Sequence, residues 1–352
     1  MVRCYLNLGR ICNNNGQSDR AIEMYTRLFD QYPGTPEART ASENVKRIYT
    51  DQGKGGDYVK WTKNRGGMTA AETDSLMYYT AFNLYERDKY KEAITAFQDY
   101  FNEVKKGFFV VSANYYKAVC HEELKQKEEA IVNYKVAANA VGFEFQEDAV
   151  LSVLELSGAN APCNDVLPFL TQLEQITRDK DKRHQAWKSL LKCYEQQNQW
   201  TTGRSLAIRI AAELSSPDDL KAEALVFQGK ADVAEKQFPA ALAKFKEAYT
   251  RFNNKYAAEA KYREALVYFT TDSFELTKES CYGVLDQFNS YDYWVGKSML
   301  LLGDAFLKTN DEFNAKATWN SVAENFEIQE LVAEAREKLA RLRDRKTKLG
   351  DE

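Results

Sequence analysis

Apolar residues recur along the chain at helical spacing. Tyr78, Phe82 and Tyr85 fall at i, i+4 and i+7, Leu167, Leu170, Leu173 and Ile176 make a second stripe, and Leu331, Ala335, Leu339 and Leu342 make a third. Between such stripes lie short polar or glycine-bearing breaks. Asn13-Asn14-Asn15-Gly16-Gln17 ends one, Tyr32-Pro33-Gly34-Thr35-Pro36 stops a helix and restarts the chain, and Arg87-Asp88-Lys89-Tyr90 and Lys125-Gln126-Lys127-Glu128 read as charged hairpin turns. Around Ser215-Ser216-Pro217-Asp218-Asp219 a serine or aspartate is expected to cap the next helix. The pattern predicts an all-α chain.

The stripes repeat. Leu8 and Gly9 lead to Ala21, Tyr25, Leu28 and Pro33. The arrangement returns as Ala81, Ala93, Phe97 and Tyr100, as Ala118, Ala130, Tyr134 and Ala137, as Gly229, Ala241, Phe245 and Ala248, and as Leu302, Gly303, Phe306, Ala315, Trp319 and Val322. Small residues let two helices approach, and the aromatic fills the gap that remains. The markers Gly9, Ala81, Ala118, Leu191, Gly229, Ala265 and Gly303 are separated by 72, 37, 73, 38, 36 and 38 positions. Two gaps are double, which predicts degenerate hairpins at 36–73 and 148–183. The expectation is one continuous solenoid over 1–352, with nine hairpins and a C-terminal capping helix at 328–346.

In the first degenerate stretch, Gly53, Gly55 and Gly56 loosen the backbone. Asp57 to Asn64 still reads as a short helix carrying Tyr58, Val59 and Trp61. In the second, Gly158 to Pro162 precede a helix over Asp165 to Ile176, with Pro168 near its start.

These units resemble the tetratricopeptide repeat family, whose pattern of a large residue, Leu-Gly, Tyr, Ala, Phe, Ala and Pro runs over about 34 residues. The best matches begin near Val2, Asp74, Val111, Ala222 and Gly296. The resemblance implies antiparallel helix pairs stacked into a right-handed superhelix, whose concave face receives a peptide or another protein. It also looks like the long repeat proteins of bacterial cell envelopes. A repeat that already matches at Val2 favours further repeats upstream or a fragment. Accordingly, a complete chain is expected to be cytoplasmic, and an export-processed fragment periplasmic or outer-membrane associated.

Charge and candidate chemistry narrow the function. Lys plus Arg number 48 and Asp plus Glu 52, a net charge of -4, which argues against nucleic acid as the partner. Apolar runs such as Gly107 to Ala113 fall far short of the roughly 20 residues that span a bilayer, so no membrane-spanning segment is expected. The six cysteines form no CxxC pair, and His121 and His184 are the only histidines, so neither a metal site nor another cofactor is expected. His121-Glu122-Glu123 lacks the second histidine of a zinc protease motif, and Asp51 to Gly56 lacks the spacing of a phosphate loop. No nucleophile elbow is present either.

The expected function is therefore a noncatalytic protein- or peptide-binding scaffold, with a role in bacterial envelope assembly as the resemblance suggests. The alternative is a regulatory or substrate-binding subunit of an enzyme complex. If the first helix of each pair lines the inner face, Tyr78, Phe82, Tyr85 and Tyr115 are candidate peptide-binding residues toward the N-terminal end. Lys188, Lys192, Tyr262 and Phe269 are the candidates farther along.

Overall fold

The structure, a computed structural model, describes the backbone of residues 1–350 and the side chains through residue 343. Side chains at 344–346, the end of the expected capping helix, lie outside the described residues. Among the described residues there are 19 helices and no strand. The chain divides into two compact units, Met1–Ile176 and Thr177–Glu352.

The first unit consists of α1 (Val2–Asn14) and α2 (Ser18–Gln31), α3 (Pro36–Asp51) and α4 (Gly55–Lys63), α5 (Ala70–Tyr85) and α6 (Tyr90–Glu103), α7 (Val110–Glu123) and α8 (Lys127–Ala138), and α9 (Gln146–Ser157) and α10 (Cys163–Ile176). The second consists of α11 (Lys180–Gln196) and α12 (Trp200–Ala212), α13 (Asp218–Ala234) and α14 (Phe238–Arg251), α15 (Lys255–Thr270) and α16 (Phe274–Gln287), α17 (Asp292–Lys308) and α18 (Glu312–Asn325), and finally α19 (Gln329–Gly350). Within each unit every helix packs on the next.

Eight of the turns inside pairs share one construction. Gly16, Gly53, Asp88, Lys125, Asn198, Lys236, Asp272 and Asn310 each adopt a left-handed backbone, with φ between 55 and 74°. The following N–H then reaches back to the carbonyl five residues earlier, as from Gln17 to Cys12 and from Gln237 to Asp232, at 2.8 to 3.0 Å. This is the Schellman closure, which satisfies a carbonyl the helix end would otherwise leave open. Between α9 and α10 the chain runs differently, with Gly158 at φ 84° and ψ 165°. Other helix starts use side chains: Thr35 caps α3 ahead of Pro36, and Thr69 and Glu72 form a capping box on α5. At α13 the expected serine or aspartate cap is absent, because Pro217 itself occupies the cap position. Likewise α10 starts at Cys163 rather than Asp165, which places Pro168 inside the helix.

Within a pair, the marker residue faces the residue sixteen places on. A Cβ added to Gly9 would collide with the ring of Tyr25, one on Gly229 with Phe245, and one on Gly303 with the indole of Trp319. The Trp319 indole N–H is in turn fixed by donating to the Leu300 carbonyl at 3.1 Å. At the same spacing Ala81 is matched by Phe97, Ala118 by Tyr134 and Ala265 by Cys281, all buried. Leu191 is matched by the small Ala207, so in that pair the bulk sits on the first helix instead of the second.

The pair α3–α4 departs from the rest. Its second helix has 9 residues where other second helices have 12 to 14. Val45 and Trp61 hold it, with the Trp61 indole donating to Thr26 Oγ1 at 2.9 Å and Arg65 clamping Asp30 at 2.6 and 2.7 Å. At the other end of the chain, Leu331, Ala335 and Leu342 of α19 cover Trp319 and Val322. Lys338 reaches Asp304 of α17 at 2.7 Å.

Three outcomes follow from this packing. Gly303→Ala should cost about 1–3 kcal/mol, because the indole must abandon both its place and its hydrogen bond; an unchanged denaturation midpoint would contradict the assignment. Lys236→Gly should instead gain roughly 0.5–1 kcal/mol, the relief of a left-handed lysine less the added chain entropy, read as a higher melting temperature.

The third outcome concerns pH. Burial raises the phenols of Tyr78, Tyr100 and Tyr134, and pushes Tyr115 up to about 12. Unfolded phenols ionise near ~10, so the stabilisation is whole below that pH and is lost as pH rises toward the folded values. In a spectrophotometric titration the buried phenolates should appear only together with loss of helical circular dichroism.

Candidate polypeptide-binding surfaces

The short α4 shapes the first unit. Because it stops early, α3 and α5 enclose a groove of about 720 Å³, with Tyr58, Trp61 and Thr62 of α4 between them. One wall is a stripe of α3, Ser42, Lys46 and Thr50, and the other a stripe of α5 that includes Ser75, Tyr79 and Asn83. The spacing of each stripe keeps it on one helix side. Tyr58 is fixed by a 3.1 Å hydrogen bond with Ser42, and Trp61 carries the Arg65 guanidinium 4.9 Å above its ring. The groove therefore has a fixed aromatic base and an exposed cation, Lys46, on its rim.

Beside the groove lies a continuous aromatic layer. Tyr78 stacks on Phe109 at 4.4 Å and also meets Phe97 and Tyr100. Only 6% of it is exposed, so it belongs to the interior rather than to a partner surface. Its neighbour Tyr79, one position and about 100° round the helix, is 49% exposed and lines the groove. The stripe through Tyr78 points inward because α6 and α7 both pack on that side of α5.

Phe82 and Tyr85 are half-buried, and Tyr116 joins them with ring centroids 4.8 and 5.0 Å away. Tyr115 stacks on Phe145 at 4.9 Å and meets Tyr134 edge-on at 5.7 Å. Phe145 also reaches Tyr116 at 6.2 Å, which links the two groups. Sequence reasoning missed Tyr79, Tyr116 and Phe145. Tyr79 and Tyr116 are adjacent in sequence to chosen tyrosines, and Phe145 sits in a short Phe-Glu-Phe segment before α9 that a helical template does not weigh.

In the second unit Lys188 and Lys192 are exposed on α11. Lys188 acts on Glu223 of α13, whose carboxyl is raised by burial and partly restored by a Tyr256 hydrogen bond and by that lysine. Tyr262 is half-buried with Trp294 at 5.5 Å, and Phe269 meets Phe274 at 5.6 Å. These four do not converge, since α13 lies between α11 and α15. The central cations of this face are already paired: Lys230 with Glu195 and Glu259 at 3.0 and 2.8 Å, Arg263 with Glu259 at 2.7 Å, and Lys297 with Glu334 at 2.9 Å. A smaller cavity of about 270 Å³ lies beside them, walled by Trp200, Phe245 and Leu266.

Among the described residues no helix is long and apolar enough to cross a membrane, and no group of three His, Cys, Asp or Glu side chains is placed to hold a metal ion.

A family model described as Tetratricopeptide repeat matches residues 3–35 and 297–327, which are the pairs α1–α2 and α17–α18. No curated protein matches the chain. Similar solved structures include the C-terminal part of a TPR repeat-containing protein from Cytophaga hutchinsonii, at TM-score 0.41 and 14% identity, covering 73% of this chain and 98% of that one. Another is the apo form of the quorum sensor NprR from B. thuringiensis, at TM-score 0.39 and 13% identity, covering 86% of this chain and 93% of that one. Repeats of this kind generally mediate protein–protein interactions, and no catalytic family is indicated. The chain is all-α, and two of its helix pairs match the tetratricopeptide repeat directly.

Proposed function

We propose that the chain is a noncatalytic scaffold that holds a segment of another protein, seated in the groove between α3 and α5. The observation that carries this reading is the groove itself, opened by a second helix that ends early and based on the fixed rings of Tyr58 and Trp61. It combines apolar surface from Tyr79 and Leu76 with hydroxyl and amide groups from Ser75, Thr50 and Asn83. Such a mixture suits a polypeptide, which offers side chains and backbone groups together. Phe82 and Tyr85, half-buried against Tyr116, lie off the groove on another side of α5. In the second unit, by contrast, Lys230, Arg263 and Lys297 are neutralised by their own carboxylates, so an acidic ligand would have to displace existing ion pairs.

A photo-crosslinking phenylalanine analogue placed at Tyr79 should join the full chain to a polypeptide in native extract. The adduct should be lost when Lys46→Glu and Ser75→Arg are added, with circular dichroism unchanged. Adduct formation that ignores both rim substitutions would overturn the groove as the seat.

A further inference from the structure

We propose a second polypeptide-docking site, in the groove between α6 and α8 on the far side of α7, that takes an acidic side chain carried between aliphatic ones. It goes beyond the reading above in ligand chemistry and in place. Lys117, at the base of this groove, is two residues from Tyr115 and so about 200° round α7 from that ring. The groove has a volume of about 430 Å³, with Ile94 and Gln98 from α6, Lys117 and His121 from α7, and Val132 and Asn133 from α8.

The argument starts from the cation. Lys117 is half-buried, donates to Gln98 Oε1 at 2.8 Å and lies 5.6 Å from the Phe101 ring centroid. Among the described residues no carboxylate pairs with it. Four other half-buried lysines do have a carboxylate: Lys230, Lys261, Lys297 and Lys338, at 2.8, 2.7, 2.9 and 2.7 Å. Burial lowers the Lys117 pKa, the mark of an ammonium that has given up water without gaining a counter-charge. An ammonium has three N–H donors, and the structure gives one of them an oxygen. A carboxylate entering the groove would supply the missing charge and accept the remaining protons.

The surroundings select the class of ligand. Val132 is 65% exposed, and Val136, one turn along α8, is also exposed, so aliphatic surface flanks the cation. Glu129 stands on the same groove and brings its charge sum to zero before a ligand arrives, which disfavours a dianion or a phosphate backbone more than a single carboxylate that meets the Lys117 ammonium directly. His121 is already held, with its Nδ1 2.7 Å from Gln126 Oε1, and Asn133 donates to the Glu129 carbonyl at 2.7 Å. The polar lining is therefore set before a ligand arrives, which lowers the ordering cost of binding.

A displayed random peptide library selected in parallel on the immobilised full chain and on its Lys117→Met variant tests this. Clones recovered only on the wild type should carry Asp or Glu beside Leu, Ile or Val. A synthetic peptide from such a clone should bind Lys117→Met roughly tenfold more weakly, the scale of one charge-assisted hydrogen bond. Replacing its acid by the amide should cost the wild type the same factor. Val132→Asp, an exposed change that leaves the core intact, should also weaken it. Tyr79→Ala with Lys46→Glu should leave it unchanged, so failure here and failure of the α3–α5 groove are read separately. No Lys117-dependent clone, such clones without an acid preference, or binding lost in the Tyr79 and Lys46 variant would each overturn the proposal.

Discussion

The close approach of the two helices in each pair is the constraint on which the rest depends. Gly9 against Tyr25, Gly229 against Phe245 and Gly303 against Trp319 leave no room for a methyl group. Elsewhere the first helix carries Ala against an aromatic, as with Ala81 and Phe97, or the bulk lies on the first helix, as with Leu191 and Ala207. Helix separation follows the side chains that meet between the two helices. A separation held in pair after pair is what lets successive pairs stack.

Stacking by apolar surface alone is weakly directional. Polar contacts one repeat apart fix the register within each unit. Arg65 reaches back to Asp30, Lys230 to Glu195, and Asn254 to Asp219, each across 35 residues, and Lys338 reaches Asp304 across 34. Asp74 does the same work in a buried setting, accepting from the Tyr100 hydroxyl and from the Phe108 backbone N–H, both at 2.6 Å. The loop into α7 is thereby tied to the start of α5. That tie positions Phe109 to stack on Tyr78, so the aromatic layer depends on a carboxylate outside it.

The two proposed binding surfaces lie where this regularity is broken or left incomplete. The early end of α4 leaves a groove where the neighbouring pairs close tightly. The unmatched Lys117 leaves a charge where the second unit supplies a carboxylate.

The helices, their pairing and the small-against-aromatic markers were legible in the sequence, because each rests on local spacing: 3.6 residues per turn within a helix and a fixed offset of sixteen between facing residues. Even the short α4 was visible, since its glycines and its Tyr58 to Trp61 stripe lie within one turn of each other. The left-handed turn residues were hidden. Only Gly16 and Gly53 among the eight are glycine, and Lys125 or Lys236 declares nothing by its type. Which of Tyr78 and Tyr79 faces solvent, that Tyr116 rather than Tyr115 meets Phe82, and that Lys117 has no carboxylate partner among the described residues were decided by tertiary structure alone. A rotation of about 100° separates adjacent residues on a helix. The side that becomes interior is chosen by helices that arrive from elsewhere in the chain, and their positions are written in no local pattern.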